Sequence, residues 1–276
     1  NKSLFRKPSL QNGKIEGMTQ KNSGLIVPSE NIPSHQKSIP LIGSSIKKLA
    51  PKFSAYNFFF TDLNDLDITD YSSLVNCLES MRKHGNTPKK IIFSSTISVY
   101  GESFQREVYK ETCTLNPSSP YAVSKKKAED YLVNHYSDMA WILRYAPVYG
   151  YNFNLNIDRR TTIKNFNYRV GDGMNKLSLC NMGNIIHVTC EILNEKIPPG
   201  VYNISDSISY NYNDLLKYKK SIQIIRLPKF CFFLLKIFGD LINSGFLKEN
   251  LIKLISDNTY PSDKVRSYID LPHKLN

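Results

Sequence analysis

The sequence predicts an α/β fold, and three stretches carry the prediction. Lys90-Ile91-Ile92-Phe93 is an apolar run of strand length, and it leads into the hydroxyl cluster Ser94-Ser95-Thr96. A helical pattern opens at Tyr121 and runs to about residue 135. Met139-Ala140-Trp141-Ile142-Leu143-Arg144-Tyr145 then reads as a second buried strand. Strand, helix and strand in succession is the order that places helices against a sheet.

The remaining elements follow in chain order. Residues 1–23, rich in Lys, Ser, Asn, Gln and Gly and without periodicity, are expected to be disordered. Residues 24–56 give the short apolar pieces Leu25-Ile26-Val27 and Ile39-Pro40-Leu41-Ile42, then a helical piece broken at Pro51. Asn57-Phe58-Phe59-Phe60-Thr61 reads as a strand. Asp62, Asp65 and Asp67 follow it without the glycine and distal glutamate of a calcium loop, so a solvated connection is expected there. Residues 68–85 read as an amphipathic helix with Leu74, Val75, Leu78 and Met81 inward, closed by Gly85. Residues 151–176 are polar with scattered aromatics. A helix follows within 171–193, on whose apolar face His187 reads as a structural histidine. Residues 201–216 give a strand and a helix, with Asp206 at the turn. The chain is expected to divide into a main domain over 24–150 and a smaller lobe over 151–276, some segments of which return to the main sheet.

Composition narrows the function classes. A hydrophobic content of 41% over 276 residues suffices for a sizeable core. The net charge of +12 raises nucleic acid and anionic membranes as partners. The cations, however, are spread in pairs such as Lys47-Lys48, Lys89-Lys90, Arg159-Arg160 and Lys219-Lys220, with no nucleic-acid module and no zinc spacing. A basic enzyme acting on a diphosphate substrate is the simpler account; neither nucleic acid nor a metal is expected. Cys77, Cys113, Cys180, Cys190 and Cys231 form no CxxC pair and are expected to be reduced thiols in a cytoplasmic protein. No charge-free apolar span of 18 residues occurs. Phe230 to Phe238, with Lys229 and Lys236, reads as a buried amphipathic helix ahead of a membrane-surface one, so membrane association is not expected.

The chemistry centres on Tyr121 and Lys125, which helical spacing sets side by side. A phenol with its ordinary pKa of about 10 is a poor base near neutrality, and an adjacent ammonium favours the phenolate. Tyrosine beside lysine, facing a strand-end hydroxyl, makes a proton-transfer device.

This region resembles the extended short-chain dehydrogenase/reductase family, in its branch of nucleotide-sugar epimerases, ketoreductases and dehydratases. The resemblance is carried by FSSTISVYG at 93–101, ETCTLNPSSPY at 111–121, YAVSK at 121–125 and the KKAEDYL after it, and extends over about 57–271. It implies a Rossmann-like parallel sheet flanked by helices, incomplete at the N-terminus, with a smaller, mostly helical C-terminal substrate lobe. It also implies NAD or NADP as cofactor, a nucleoside-diphosphate sugar as substrate, and a homodimer formed through the helix after Ile68 and the one from Tyr121. Carried over by position, Tyr121 would be the general acid/base at a sugar hydroxyl or ketone. Lys125 would bind the nicotinamide ribose and depress the tyrosine pKa. Ser94 would join them at the cofactor, and Thr96 would orient the same sugar oxygen. The stretch 171–193 resembles one in which a glycine, Asn-Lys, Ser and then an Asn open a helix; in that register Ser178 and Asn184 would join Thr96 at the substrate.

The sequence departs from the family pattern at three places. The first strand should deliver G-x-x-G-x-x-G for the pyrophosphate, and only Gly43-Ser44-Ser45 offers a turn before a helix. Either the first βαβ unit is missing or it is degenerate. Pro147 stands where the family usually has a substrate-binding Asn. Ile97 and Ser98 stand where 4,6-dehydratases carry Asp-Glu, and neither can act as the acid or base that eliminates water. The expectation is an epimerase or 4-ketoreductase of surface-polysaccharide synthesis; a non-catalytic binding or scaffold relative without cofactor is the alternative.

Overall fold

The computed structural model of the chain describes residues 71–85, 88–101, 108–150, 153–230 and 256–276. The expected strand at 57–61, the Asp62–Asp67 connection, Gly43, Cys231 and the end of the 230–238 helix lie outside the described residues. In chain order, the first half holds α1 (Tyr71–Lys83), β1 (Ile91–Thr96), a 3-10 turn (Ile97–Tyr100), α2 (Pro120–Tyr136), β2 (Ala140–Tyr145) and β3 (Val148–Tyr149). There follow α3 (Leu155–Thr161), β4 (Thr162–Ile163), β5 (Phe166–Val170), β6 (Lys176–Leu177), β7 (Cys180–Asn181) and α4 (Met182–Leu193). The last elements are β8 (Gly200–Ile204), β9 (Tyr210–Asn211), α5 (Tyr212–Tyr218), β10 (Ile224–Leu227) and α6 (Asp263–Arg266).

The main sheet runs β1-β2-β8, all parallel, with β2 at its centre. Every residue of β2 is buried, as a central parallel strand covered on both faces requires. The two-residue strand period sorts the core. Ala140 and Ile142 join Phe93 and the α2 residues Ala128, Leu132 and Tyr136 on one face. Trp141, Leu143 and Tyr145 join Tyr202, Ile204 and the α4 residues Ile185, Val188 and Ile192 on the other. The chain is thus a Rossmann-like parallel sheet flanked by helices.

The hydroxyl cluster belongs to β1 itself. Ser94, Ser95 and Thr96 pair with Leu143, Arg144 and Tyr145, so the strand runs three residues beyond its apolar run. Helix α1 presents Leu78, Leu74 and Met81 to the α2 face, whereas Val75 stays outside that cluster; Gly85, at φ +73°, follows the helix. Helix α2 begins on two strong signals: the Ser119 hydroxyl accepts from the Ala122 N–H, and Pro120 fills the first turn. Between β1 and α2, Gly101 (φ +68°) lets the chain cross Asn116 closely, since a Cβ there would meet the Asn116 carbonyl oxygen at 2.0 Å.

A second, small sheet pairs β5 antiparallel with β4 and parallel with β10. Helix α5 packs beside it and starts with a capping box between Asn211 and Asp214. Helix α4 is opened by Asn181, whose side chain accepts from the Gly183 N–H. That corrects the reading in which Asn184 opens it; Asn184 lies inside the first turn. Helix α6 packs against β8 through buried Val265. Among the described residues no helix is long and apolar enough to cross a membrane, and Cys77, Cys113, Cys180 and Cys190 form no disulfide.

Candidate active site

The carboxyl end of a parallel sheet is where ligands of such folds bind, and here it carries Thr96, Tyr145 and Ile204 on neighbouring strands. Helix α2 starts beside this edge and supplies Tyr121 and Lys125 from successive turns. The structure therefore brings Ser94, Tyr121 and Lys125 together, with Thr96 two residues beyond Ser94 at the end of the same strand.

Lys125 is 1% exposed, and its Nζ donates to the Ser94 carbonyl at 2.9 Å. The same ammonium sits 4.6 Å from the Phe93 ring centroid and 5.9 Å from that of Tyr121. A cation so placed over aromatic faces is held by electrostatics as well as by its hydrogen bond. Thr96 caps the 3-10 turn: its Oγ1 accepts from the Ser98 N–H at 3.2 Å. Ser94 contributes its carbonyl to the lysine, so backbone as well as side chain builds this corner.

The Tyr121 phenol behaves differently from the simple pair argument. Burial pushes its pKa up to about 12 rather than down. Desolvation of a phenolate outweighs the pull of an ammonium centred 5.9 Å from the ring. At neutral pH the group is a proton donor in this conformation.

Behind these residues lies a buried polar network that no sequence motif announced. Glu129 (2% exposed) and Arg144 (4%) form an ion pair at 2.6 Å. Glu129 also accepts from the Ser95 hydroxyl. Arg144 Nη1 donates to the Tyr100 hydroxyl at 2.9 Å, which donates on to Asn203 Oδ1 at 2.7 Å. Asn203 continues to the Tyr109 carbonyl, while its own N–H donates to Glu111. One connected set of bonds thus ties β1, α2, β2, β8 and the 3-10 turn that carries Thr96 as its cap. For Arg144, burial lowers the pKa, but the hydrogen bonds and charge of Glu129, with those of Tyr100, together outweigh it and leave the guanidinium above its ordinary value. The available signal was periodicity: Tyr121, Lys125 and Glu129 are spaced by four on one helix face.

Ser178 and Asn184 are placed elsewhere. Ser178 Oγ accepts from the Tyr260 N–H at 2.9 Å and lines a cleft of about 300 Å³ with Asp206 and Lys176. Asn184 is fully buried; its amide donates to Asp206 and to the His273 carbonyl and accepts from the His273 N–H. Those bonds engage both ends of the amide, so in this conformation Asn184 fixes the C-terminal segment rather than facing a ligand. Asp206, read from sequence as a turn residue, is a hub: it accepts from the Tyr149 and Tyr210 hydroxyls at 2.7 and 2.8 Å and from the Asn181 N–H at 2.7 Å. Burial pushes its carboxyl pKa up against those four hydrogen bonds. Pro147 offers only its carbonyl, which accepts from the Cys180 N–H. His187 is half-buried on α4.

The nicotinamide half of a dinucleotide fits the residues present. The Lys125 ammonium beside Tyr121, and the Thr96 hydroxyl at the end of the neighbouring strand, are donors of the kind that a ribose and a sugar oxygen take. Gly43-Ser44-Ser45, the one turn before a helix that the sequence offers for a pyrophosphate, lies outside the described residues.

Comparison with known proteins agrees with this fold. The sequence model of the NAD dependent epimerase/dehydratase family matches residues 56–205. A UDP-glucose 4-epimerase of Lacticaseibacillus casei is 37% identical over 79 residues, 29% of this chain and 22% of that protein. The bifunctional protein GAL10 of Kluyveromyces lactis is 38% identical over 83 residues, 28% of this chain and 12% of that protein. The matched stretch thus spans about a fifth or less of these curated relatives. Among solved structures, a functionally unknown conserved protein from Silicibacter pomeroyi DSS superposes with a TM-score of 0.53 at 14% identity, covering 77% of this chain and 70% of that one. At that identity the likeness concerns the fold alone.

Proposed function

The chain belongs to the NAD dependent epimerase/dehydratase family, and on that premise we propose that it is an NAD(P)-dependent nucleotide-sugar epimerase or 4-ketoreductase. The observation that carries this reading is the seating of Lys125 against the Ser94 carbonyl with Tyr121 one helical turn away, at the carboxyl edge of the sheet. Lys125 and Ser94 would hold the nicotinamide ribose. The bound cofactor supplies a hydride donor or acceptor. Tyr121 moves the proton at the sugar oxygen: it donates as a ketone oxygen becomes a hydroxyl and takes the proton back in the reverse direction. Its pKa, pushed up to about 12 by burial, suits the donating half. Thr96, fixed as the cap of the 3-10 turn, would hydrogen-bond the same oxygen and hold it in line. Ile97 and Ser98 supply no acid-base pair for loss of water, which argues for epimerisation or reduction over dehydration.

Incubation with UDP-glucose and NAD, followed by proton NMR of the sugar, tests the reading. The C4 epimer should accumulate, and Tyr121→Phe should slow it by about 100-fold or more. A second reading, a non-catalytic binding relative, is favoured by the absence of G-x-x-G-x-x-G and by Pro147. Saturable nucleotide-sugar binding with no turnover and no cofactor binding would establish that reading and sink the first.

A further inference from the structure

Ser95, Arg144 and Asn203 are register partners on three neighbouring strands, one rung before the row of Thr96, Tyr145 and Ile204 at the carboxyl edge. Glu129 reaches that rung from α2, one helical turn after Lys125. Ser95, Glu129, Arg144 and Tyr100 are each at most 4% exposed. A buried ion pair is a poor stabiliser compared with apolar residues of the same volume, so stability alone does not account for one at this place. What such a pair can supply is fixed geometry, and two arms run from this one towards the site.

The first arm fixes α2 on β1. Glu129 accepts from the Ser95 hydroxyl, while Lys125, four residues earlier, donates to the carbonyl of the preceding Ser94 at 2.9 Å. Adjacent residues of the strand are thus bonded to residues one turn apart on the helix. The helix cannot slide or turn on the strand without breaking one of the two bonds. A lysine ammonium rides on a flexible four-carbon stem, so its place depends on that register.

The second arm fixes the turn after β1. Arg144 Nη1 donates to the Tyr100 hydroxyl at 2.9 Å, with the guanidinium carbon 4.9 Å from the Tyr100 ring centroid. Tyr100 is the last residue of the 3-10 turn, and Thr96 is its cap. The turn is therefore held by β1 at one end and by Arg144 at the other. The direction of the Thr96 hydroxyl, which accepts from the Ser98 N–H within the turn, follows from where the turn sits.

We propose that the Glu129–Arg144 pair is a positioning unit for the reaction, with two separable arms: Ser95 sets Lys125 for the cofactor, and Tyr100 sets Thr96 for the sugar oxygen. The inference rests on the function proposed above. Small misplacements of groups that hold reactants cost rate steeply, so each arm should be measurable by itself.

The test compares Ser95→Ala with Tyr100→Phe, each of which removes one hydroxyl and leaves the ion pair in place. Two readouts need neither cofactor nor substrate. Acetylation by acetic anhydride, read by mass spectrometry, reports Lys125 against the exposed Lys127 of the same helix. Relative to Lys127, Lys125 should react at least fivefold faster in Ser95→Ala and within twofold of wild type in Tyr100→Phe. Amide hydrogen exchange of residues 97–101 should show the reverse, at least fivefold faster in Tyr100→Phe and within twofold of wild type in Ser95→Ala. In isothermal titration, Ser95→Ala should raise the Kd for NAD or NADPH at least fivefold, and Tyr100→Phe should leave it within twofold. In turnover at saturating cofactor, Tyr100→Phe should lower kcat at least tenfold. A merely structural pair would loosen both segments together in both variants. That result, or no change of Lys125 reactivity in Ser95→Ala, would overturn the proposal. A wild type that binds no cofactor would sink the functional reading instead, and the two cofactor-free readouts would still decide whether the arms exist.

Discussion

Replacing Glu129 with alanine should cost about 3–5 kcal/mol of stability, the range for breaking one partner of a buried pair. The magnitude follows from what is left behind. Arg144 donates to the Glu129 carboxylate at 3.2, 3.1 and 2.6 Å. With that carboxylate gone, a guanidinium 4% exposed keeps the neutral Tyr100 hydroxyl as its hydrogen-bond acceptor among the described residues. Ser95 loses its acceptor as well. Urea unfolding followed by circular dichroism reads the loss directly: at an m value of about 3 kcal/mol/M, the midpoint should fall by about 1–2 M. The double variant Glu129→Met/Arg144→Met removes both charges and should recover most of the loss, since hydrophobic replacement of a buried pair is often close to neutral. A single-variant loss below about 1 kcal/mol would refute the reasoning, because that is how a solvent-screened surface pair behaves.

Three further outcomes follow from the same structure. Asp206→Ala strands the Tyr149 and Tyr210 hydroxyls and the Asn181 N–H, so a loss of about 3 kcal/mol is expected in urea unfolding; a loss within experimental error would show that water replaces the carboxylate. Gly101→Ala forces a Cβ onto the Asn116 carbonyl at a left-handed φ and should lower Tm by several degrees, whereas an unchanged Tm would mean that the 101–116 crossing relaxes freely. Burial holds the Tyr121 and Tyr202 phenols protonated up to about 12, above the ordinary value of about 10. Their folded pKa values are raised, so the unfolded chain releases these protons first. The stability they support is complete below pH 10 and is lost as pH rises from 10 to 12. The urea midpoint should fall across that window, more shallowly in Tyr121→Phe; identical profiles would contradict the assignment.

The sheet was legible because its strands are apolar where they are buried. β2 reads from its sequence almost to the residue, and α2 reads as opening at Tyr121, one residue inside its start at Pro120. The end of β1 was harder, since Ser94, Ser95 and Thr96 look like a loop until their register with Leu143, Arg144 and Tyr145 is seen. Two-residue strands such as β3 and β7 exist only as pairings and leave no periodic trace. The Tyr121–Lys125 contact was visible in the spacing, but the phenol's pKa was not, because spacing fixes a neighbour and says nothing about desolvation. Arg144 meets Glu129 across 15 residues of chain, and Asn184 meets His273 across 89. No local pattern encodes such partners. They were therefore absent from the sequence reading, and Asn184 was assigned to a substrate when its amide is engaged by the fold.

The central claim is that this chain positions a nicotinamide cofactor at Lys125. Isothermal titration of the 276-residue chain with NAD and with NADPH, repeated on Lys125→Ala, tests it most directly. The account predicts micromolar binding of one of the two and a loss of tenfold or more in the variant, matched by an intact fold in circular dichroism. No binding up to millimolar cofactor, or equal binding by Lys125→Ala, would contradict it.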